Sequence, residues 1–400
     1  IPESVTSIGE LAFGECKKLT SITIPESVTS ISKSMFSGCI NLTTITIPES
    51  VTSIGARAFG YYTGELIINS KVVEVDNTEK PEWLSLSEIS KVTIGDNITH
   101  IGAYTFDYRT TLKNVTLSSS VTSIGEYAFA NCKSLESINI PSSVTTIGDC
   151  AFNGSTGELL IDSKIIESDD TYTPSWLRSN KMTKVTIGNN ITRIGNYAFH
   201  RCYSLTSVTI PNSVTSIGEY AFQNCRDLTS VTIPNSVNTI GEYAFEYCES
   251  MTSVTMGSGV TSIDQYAFSN CTGLTRVNIS DLSAWCNIDF GNLTSNPLNY
   301  AKYLYLDGVL VEDIIIPADM TEVKPYVFAK CEKLKSVTMP DGVTSIGRYA
   351  FRGCSGLTNI TIPDEVTSIG EYAFYVCTGL TSITIPDSVT RIGDSAFEDC

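Results

Sequence analysis

Basic side chains are scarce in this chain. Of its 400 residues, 26 are lysine or arginine and 43 are aspartate or glutamate, so the net charge is −17. Basic residues this few and this scattered cannot neutralise a phosphate backbone, which excludes nucleic acid as a partner. The negative charge disfavours an anionic bilayer, and no run of about 18 apolar residues could span a membrane. We therefore expect no direct membrane insertion of this chain.

The residues that usually carry catalysis and metal binding do not occur together. The only histidines, His100 and His200, are too far apart along the chain to share a site, and neither has a recognisable nucleophile partner. No Gly-x-Ser-x-Gly turn is present, and no cluster of histidine and cysteine has metal-ligand spacing. The adjacent acids Asp169 and Asp170 fall in an expected loop. We therefore expect a protein that is not an enzyme and uses no cofactor or metal.

The chain does contain a repeat of about 23 residues, which is clearest in residues 205–228. Its phenylalanine recurs at Phe13, Phe36, Phe59, Phe106, Phe129, Phe152, Phe199, Phe222, Phe245, Phe268, Phe328, Phe351, Phe374 and Phe397. So short a unit cannot enclose a core alone, because ordering it costs about 1.5 kcal/mol per residue. Consecutive units must stack on one another.

Each unit predicts a strand, a corner, a second short strand and a helical turn. Val208 and Ile210 alternate with hydroxyl residues, as in a strand with one buried face. Pro211 ends this strand because it lacks an amide N–H. Ile217 belongs to the second strand or extended turn, and Phe222 points inward from the helical turn.

Most of the cysteines form one column of the repeat. Three residues after a repeat phenylalanine lie Cys16, Cys39, Cys132, Cys202, Cys225, Cys248, Cys271, Cys331, Cys354, Cys377 and Cys400. Neighbouring positions in register lie about 4.8 Å apart with parallel Cβ vectors, whereas a disulfide requires Cβ atoms about 3.8 Å apart and tilted together. We expect buried thiols, with a disulfide framework as the alternative.

The repeated pattern Cys-x-x-Leu-x-x-Ile-x-Ile-Pro-x-x-Val-x-x-Ile-Gly-x-x-Ala-Phe resembles the BspA-like leucine-rich repeats. The resemblance covers all the phenylalanine-bearing units. It implies an α/β repeat fold, a leucine-rich-repeat solenoid of about 17 coils with short parallel strands and helical or 3-10 turns. It also implies a surface protein of oral or gut bacteria or mucosal protozoa, without shared catalytic residues. Some members are adhesins toward host matrix proteins or other cells.

Three divergent segments, 60–95, 153–188 and 281–317, interrupt the repeat. The first two resemble each other at an offset of 93 residues, which indicates duplication of a block of four coils. Each break has two apolar runs around a two-residue turn, at Asn69-Ser70, Asp162-Ser163 and Asp307-Gly308. We expect each to be a modified coil or a protruding hairpin. Trp83, Trp176 and Trp285 lie in the breaks, where they either pack against the hairpin or contact a ligand.

We expect residues 1–400 to form a single solenoid, monomeric, and to be a fragment of a longer protein. Both ends interrupt a repeat unit, and neither has a polar cap or a signal peptide. Signals for export and anchoring would then lie outside this chain, and the location would be the cell surface or the exterior.

Two sets of side chains are candidates for a ligand-binding face. The first set comprises outward strand positions that stack into rows: Ser207, Thr209, Ser230, Thr232, Ser253 and Thr255. The alternative is that these residues supply only β-propensity and solubility. The second set lies two residues before the phenylalanine: Tyr220, Tyr243 and Tyr266. These rings either contact a sugar or a protein partner or form a packing ladder.

Two functions therefore fit the sequence. The leading hypothesis is a non-catalytic recognition or adhesion scaffold at the cell surface, whose partner is a host matrix protein, a glycan or another microbe. The alternative is a structural stalk or envelope spacer without a ligand of its own.

Overall fold

The computed structural model describes residues 1–169, 174–177 and 181–400. They fall into two compact units. The first unit contains residues 1–166, 174–177 and 181–190. The second unit contains residues 167–169 and Ile191–Cys400. Each unit is a parallel β-solenoid, and together they have about 15 turns. The predicted fold class is confirmed. The expected count of about 17 coils is slightly too high, because residues 21–24 and 382–385 form no ladder strand.

First strands of neighbouring coils pair in parallel, except that Ser207–Thr209 and Ser230–Thr232 belong to different sheets, as do Leu304–Leu306 and Asp313–Ile315. In the first unit these strands follow each other in chain order: Thr44–Ile47, Glu65–Ile68, Lys91–Ile94, Asn114–Thr116, Ser137–Ile140, Thr156–Ile161 and Lys181–Ile187. In the second unit they are Ser207–Thr209, Ser230–Thr232, Ser253–Thr255, Arg276–Ile279, Leu304–Leu306, Asp313–Ile315, Ser336–Thr338 and Asn359–Thr361.

The second strands are two residues long and also pair in parallel. In the first unit they are Ser30–Ile31, Ser53–Ile54, His100–Ile101, Ser123–Ile124 and Thr146–Ile147. In the second unit they are Arg193–Ile194, Ser216–Ile217, Thr239–Ile240, Ser262–Ile263, Asp289–Phe290, Glu322–Val323, Ser345–Ile346, Ser368–Ile369 and Arg391–Ile392. The glycine after this strand permits the close approach of two coils, since a Cβ on Gly241 would lie 2.7 Å from the amide nitrogen of Glu219.

The third side of the coil is a hydrogen-bonded turn, so the predicted helical turn is wrong. Tyr220, Phe222 and Asn224 donate their amide N–H groups to carbonyls of the next coil at 2.8–2.9 Å. A helix would use these groups within its own turn. The backbone reaches across because Tyr220 and Asn224 are left-handed, with φ of 56° and 60°. Every tyrosine two residues before a repeat phenylalanine has positive φ in the same way.

The interior contains a column of stacked phenylalanines. Phe222 is fully buried between Phe199 and Phe245, with ring centroids 5.2 Å away on each side and nearly parallel planes. The repeat period places each ring over the equivalent ring of the preceding coil. Stacking in register is therefore what allows so short a unit to have a core.

The cysteine column lies beside these rings and is buried away from its ends. Its thiols donate to the carbonyl of the phenylalanine one coil earlier, as Cys248 Sγ does to Phe222 O at 3.4 Å and Cys271 Sγ to Phe245 O at 3.1 Å. All the cysteines are free thiols. Burial raises the pKa of Cys271 to about 12, so the thiol stays protonated and able to donate. The expectation of buried thiols is confirmed.

The first two breaks are modified coils without a hairpin. After the strand Glu65–Ile68 the chain forms a 3-10 helix, Lys71–Glu74, where the sequence predicted the returning strand of a hairpin. Ser70 explains the difference, because its hydroxyl accepts the amide N–H of Val72 and starts a helical turn. The corresponding helix of the second break is Lys164–Glu167, and shorter 3-10 helices follow at Glu82–Leu84 and Ser175–Leu177.

The tryptophans of these breaks take the place of a phenylalanine in the column. Trp83 packs edge-on against Phe59 with centroids 6.0 Å apart, and Trp176 packs in the same way against Phe152 at 6.1 Å. Both indoles are nearly fully buried. The packing interpretation is therefore confirmed, although the contact is with the phenylalanine column and not with a hairpin.

The third break contains the predicted hairpin. Leu304–Leu306 pairs with Val309–Leu310 in antiparallel fashion around Asp307 and Gly308, which have φ of 49° and 80°. Two left-handed residues match the two-residue turn that hairpins favour. Short α-helices, Leu282–Cys286 and Leu298–Ala301, precede the hairpin.

Side chains connect the coils on either side of this break, where the strand ladders end. The ladders that reach Asp289–Phe290 and Val309–Leu310 do not continue into the next coil. Buried Asn296 donates instead to the carbonyl of Tyr326 at 2.8 Å, and Trp285 Nε1 donates to the carbonyl of Val327 at 3.1 Å. In regular coils the carbonyl equivalent to Val327 O accepts the phenylalanine N–H of the preceding coil, as Ala244 O accepts Phe222 N–H, so these side chains replace a backbone contact between turns.

Candidate functional site

The hydroxyl rows predicted from the sequence lie on the outer face of the first strands. Ser230 is in register with Ser253, and Thr232 with Thr255. Their strand neighbours, Val231 and Val254 among them, are buried on the opposite face. Ser207 and Thr209 lie on the strand of the preceding coil, which Thr229 N–H contacts through the carbonyl of Thr206 at 3.1 Å. The structure brings the six residues together on one face, and their role in binding stays a prediction.

The predicted tyrosines form a stack on the turn side of the coil. Tyr243 lies between Tyr220 and Tyr266, with centroid distances of 4.9 and 5.0 Å. The rings are half-buried or exposed at their edges. This is the packing ladder that the sequence allowed, and it uses the ring faces that a ligand would otherwise contact. The tyrosines lie on the turn of the coil, whereas the hydroxyl rows lie on its first strand.

The hydroxyl rows change composition beside the third break. Arg276 is in register with Ser253, and Asn278 with Thr255. On the next strand Tyr305 lies opposite Asn278, and Tyr303 precedes Leu304, which lies opposite Val277. We call Arg276, Asn278, Tyr303 and Tyr305 the Arg276 patch. Each of its four side chains is partly exposed.

Contacts within the patch fix the arginine. The guanidinium carbon of Arg276 lies 4.2 Å from the ring centroid of Tyr305, which is a close cation–π contact. Its Nε donates to Asn278 Oδ1 at 3.0 Å. Asn278 Nδ2 in turn donates to the carbonyl of Val254 at 3.3 Å. Tyr305 and Asn278 therefore hold the arginine in place. Its side chain lies on the outward face of the strand.

Some basic side chains around the patch form ion pairs and others do not. Lys335 pairs with Glu312 at 2.9 Å, and Lys302 pairs with Glu332 at 3.0 Å. The hydrogen bond that Lys335 donates to Glu312 raises the pKa of Lys335. Arg276 makes no ion pair with any residue that the structure describes. Arg348 and Arg352 also stack on tyrosines and make no ion pair among the described residues, so Arg276 differs from them in its additional hydrogen bond to Asn278 on the outward strand face.

Apolar side chains are exposed on the hairpin and on the first strand that follows it. Val309 on the hairpin is 70% exposed, and Ile315 on the following first strand is 74% exposed. Ile315 occupies the outward strand position that is threonine in the next two coils. The hairpin and the residues after it line an open groove of about 510 Å³, bounded by Leu306, Asp307 and Glu312 among others.

The breaks of the first unit carry ion pairs at the outward strand positions. Lys91 pairs with Glu65 at 3.1 Å, and Lys184 pairs with Glu158 at the same distance. Burial would raise the pKa of Glu158, but hydrogen bonds from Thr186 and Lys184 outweigh it, and the pKa is lowered. These cations are neutralised locally, which distinguishes them from Arg276.

His100 has a contact that the sequence did not reveal. Its Nδ1 lies 2.6 Å from Ser123 Oγ, and its Nε2 lies 3.2 Å from Asp76 Oδ1. The expectation that neither histidine has a nucleophile partner is therefore wrong for His100. The duplicated block places Arg193 and Asp169 in an ion pair at the same two positions, 93 residues later. Arginine cannot serve as a base at neutral pH. The property that the two pairs share is therefore structural: each connects a residue of the break to a residue of the second strand.

The remaining candidates from the sequence add no further site. His200 is buried, and its pKa is lowered to about 4 by burial and the charge of Arg201. Asp170, the second of the paired acids, lies outside the described residues. Among the ranges that the structure describes, no three histidine, cysteine or acidic residues are grouped as metal ligands. No helix in those ranges is long and apolar enough to cross a membrane.

Sequence reasoning missed Arg276 and Asn278. The available signal was their position, because they replace the serine and threonine that precede them in each row. Tyr303 and Tyr305 stood out in the sequence as part of the third break, but only the strand register places them beside the arginine.

The family follows from a comparison with known repeat families. The BspA type leucine rich repeat region, a model of six repeat copies, matches residues 1–79, 78–159, 173–293 and 301–400. The chain belongs to the BspA-type leucine-rich repeat family. No curated protein matches it.

Several solved structures of leucine-rich repeat proteins are similar to this family member. A leucine-rich repeat protein from Bacteroides ovatus has 26% identity, with 95% of this chain and 84% of that chain covered and a TM-score of 0.47. A leucine rich cell surface protein from Faecalibacterium prausnitzii has 26% identity, covers 90% and 86%, and has a TM-score of 0.31. The pneumococcal vaccine antigen PcpA has 18% identity, covers 94% and 89%, and has a TM-score of 0.32.

Proposed function

We propose that this chain is a non-catalytic recognition scaffold at the cell surface, and that it binds a protein or a glycan on a host or microbial surface. Membership of the BspA-type family supports a binding scaffold. The similarity to a leucine rich cell surface protein from Faecalibacterium prausnitzii supports the location. The proposal covers residues 1–400 as one solenoid.

The observation that carries this proposal is the contrast between the regular coils and the third break. Regular coils present mostly serine, threonine and asparagine at the outward strand positions. At the edge of the third break these positions carry Arg276 and, on the next strand, Tyr303 and Tyr305. Tyrosine and arginine are the residues that most often dominate binding energy at protein interfaces. A spacer has no physical need for such a cluster on its surface.

A structural stalk stays the second candidate because of the regular coils themselves. From Ser207 to Thr255 the outward positions repeat with little change, and a uniform hydroxyl surface suits a spacer that has to stay solvated. Such a stalk would hold another domain away from the cell without binding anything.

Purified chain 1–400 distinguishes these functions. It would be immobilised and exposed to a panel of host matrix proteins, glycans and whole microbial cells, with binding measured by surface plasmon resonance and cell adhesion. Saturable binding to at least one protein or glycan supports the scaffold. No saturable binding across a broad panel rejects it in favour of the stalk.

A further inference from the structure

We propose that the Arg276 patch binds a carboxylate on an extended acidic segment of a protein partner. This inference rests on the proposed function, and it names the partner chemistry for the surface described above. Its starting point is an arginine that is held in place yet has no carboxylate among the described residues.

The arginine is preorganised for a planar acceptor. Stacking on Tyr305 and the hydrogen bond from Nε to Asn278 fix the plane of the guanidinium group. The two terminal amino groups then remain for a ligand. A fork of this geometry matches the two oxygens of a carboxylate and gives charge-assisted hydrogen bonds. Because the side chain is already ordered, binding costs less rotamer entropy than it would for a mobile arginine.

Two nearby carboxylates, Glu312 and Asp313, are already engaged. Glu312 pairs with Lys335, and Asp313 accepts a hydrogen bond from Ser336 Oγ at 2.5 Å. Lys333 lies 6.0 Å from the ring centroid of Tyr303 and adds positive charge beside the patch. Arg276 and Lys333 thus present positive charge to an acidic segment, although Asp307 at the hairpin turn and the chain as a whole are negative.

The surroundings favour a peptide over an acidic glycan. Leu310 lies opposite Tyr305 in the hairpin, so it shares the outward face of the patch, and it is partly exposed. Aliphatic side chains of this kind gain stability by burying apolar surface of a partner. An extended segment of acidic and aliphatic residues would place an acid at Arg276 and an aliphatic side chain against Leu310.

The test uses chain 1–400 and a short fluorescein-labelled peptide of alternating glutamate and valine as the probe. Fluorescence anisotropy should show binding that weakens as salt is raised, whereas matched lysine–valine and glutamine–valine peptides should bind poorly. Arg276→Gln should weaken binding about tenfold, the size expected for loss of a charge-assisted hydrogen bond. Arg276→Lys should recover only part of the affinity because it lacks the fork.

Arg226 provides a matched control. It also lies over a tyrosine, Tyr203, at 5.6 Å, but it faces Glu249 at 3.9 Å. Arg226→Gln removes the same charge and should leave peptide affinity unchanged. Far-UV circular dichroism and urea unfolding verify that both variants are folded.

Three outcomes overturn the inference. One is equal affinity for the acidic and neutral peptides. Another is equal loss of affinity in the Arg226 and Arg276 variants. The third is binding of a hyaluronan or sialylated oligosaccharide at the patch in place of the peptide. If the chain still binds a member of the panel and Arg276→Gln has no effect on that binding, only the acidic-segment inference fails. If the chain binds nothing, the proposed function fails as well.

Discussion

Replacing Tyr220 by glycine should give a more stable protein than replacing it by alanine. Both substitutions remove the ring, so both lose its stacking on Tyr197 and Tyr243 at 4.6 and 4.9 Å. They differ in the backbone, because Tyr220 has φ of 56°. Alanine in the left-handed region of φ costs about 1–2 kcal/mol more than glycine. Glycine loses about 0.4–1 kcal/mol through the greater entropy of the unfolded chain, so the net advantage of glycine is about 0.5–1 kcal/mol.

Urea unfolding followed by far-UV circular dichroism measures this difference, provided that the two variants have the same m-value. Thr232, exposed on an ordinary strand, is the control position. There alanine should be the more stable substitution by about 0.5–1 kcal/mol, because glycine weakens a strand. If alanine equals or exceeds glycine at position 220, the left-handed turn that links the coils is not formed in solution.

Three further outcomes follow from the interior. Phe222→Ala should lower the free energy of unfolding by about 3–5 kcal/mol in urea titrations, because the ring is fully buried between two others. Cys248→Ser should be more stable than Cys248→Ala by about 1 kcal/mol in the same assay, since a hydroxyl can still donate to Phe222 O. His200 has a pKa of about 4 in the fold, below the value of about 6.5 for a free side chain. The unfolded chain then holds more protons between these values, so stability should fall as pH drops through this window, and less so in His200→Gln when unfolding is measured across it.

The period made most of the fold predictable. A phenylalanine every 23 residues fixes where the coils stack, and the alternation at Val208 and Ile210 fixes which face of the strand is buried. The turn was not predictable in the same way, because Glu-Tyr-Ala-Phe has ordinary helical propensities. What decides its conformation is the hydrogen bonding of Tyr220 and Phe222 to the next coil, a tertiary effect that local propensity does not contain.

The breaks show how a two-residue turn depends on its chemistry. Asp307 and Gly308 adopt the two left-handed conformations that close a hairpin. Asn69 and Ser70 stand between similar apolar runs, but the Ser70 hydroxyl caps a 3-10 helix. The hydrophobic pattern alone predicted a hairpin at both turns. The Ser70 hydroxyl is the reason that the first of them forms a 3-10 helix.

The candidate site was less predictable because it depends on register across a break. Arg276, Asn278 and Tyr305 become neighbours only when Arg276–Ile279 pairs with Leu304–Leu306. The repeat period is lost between these strands, so the sequence gives no spacing from which to infer the pairing. The hydroxyl rows were easier to locate since they follow the period without interruption.

A double-mutant cycle tests most directly whether consecutive coils stack in register. Phe222→Leu and Phe245→Leu would be combined and compared with the single variants by urea unfolding, and the pair Phe222 and Phe268 would serve as the control. The account predicts a coupling of about 0.5–1.5 kcal/mol for the first pair, whose centroids lie 5.2 Å apart. It predicts additivity for the control pair, which Phe245 separates. Additive effects of Phe222 and Phe245 would contradict a shared interior.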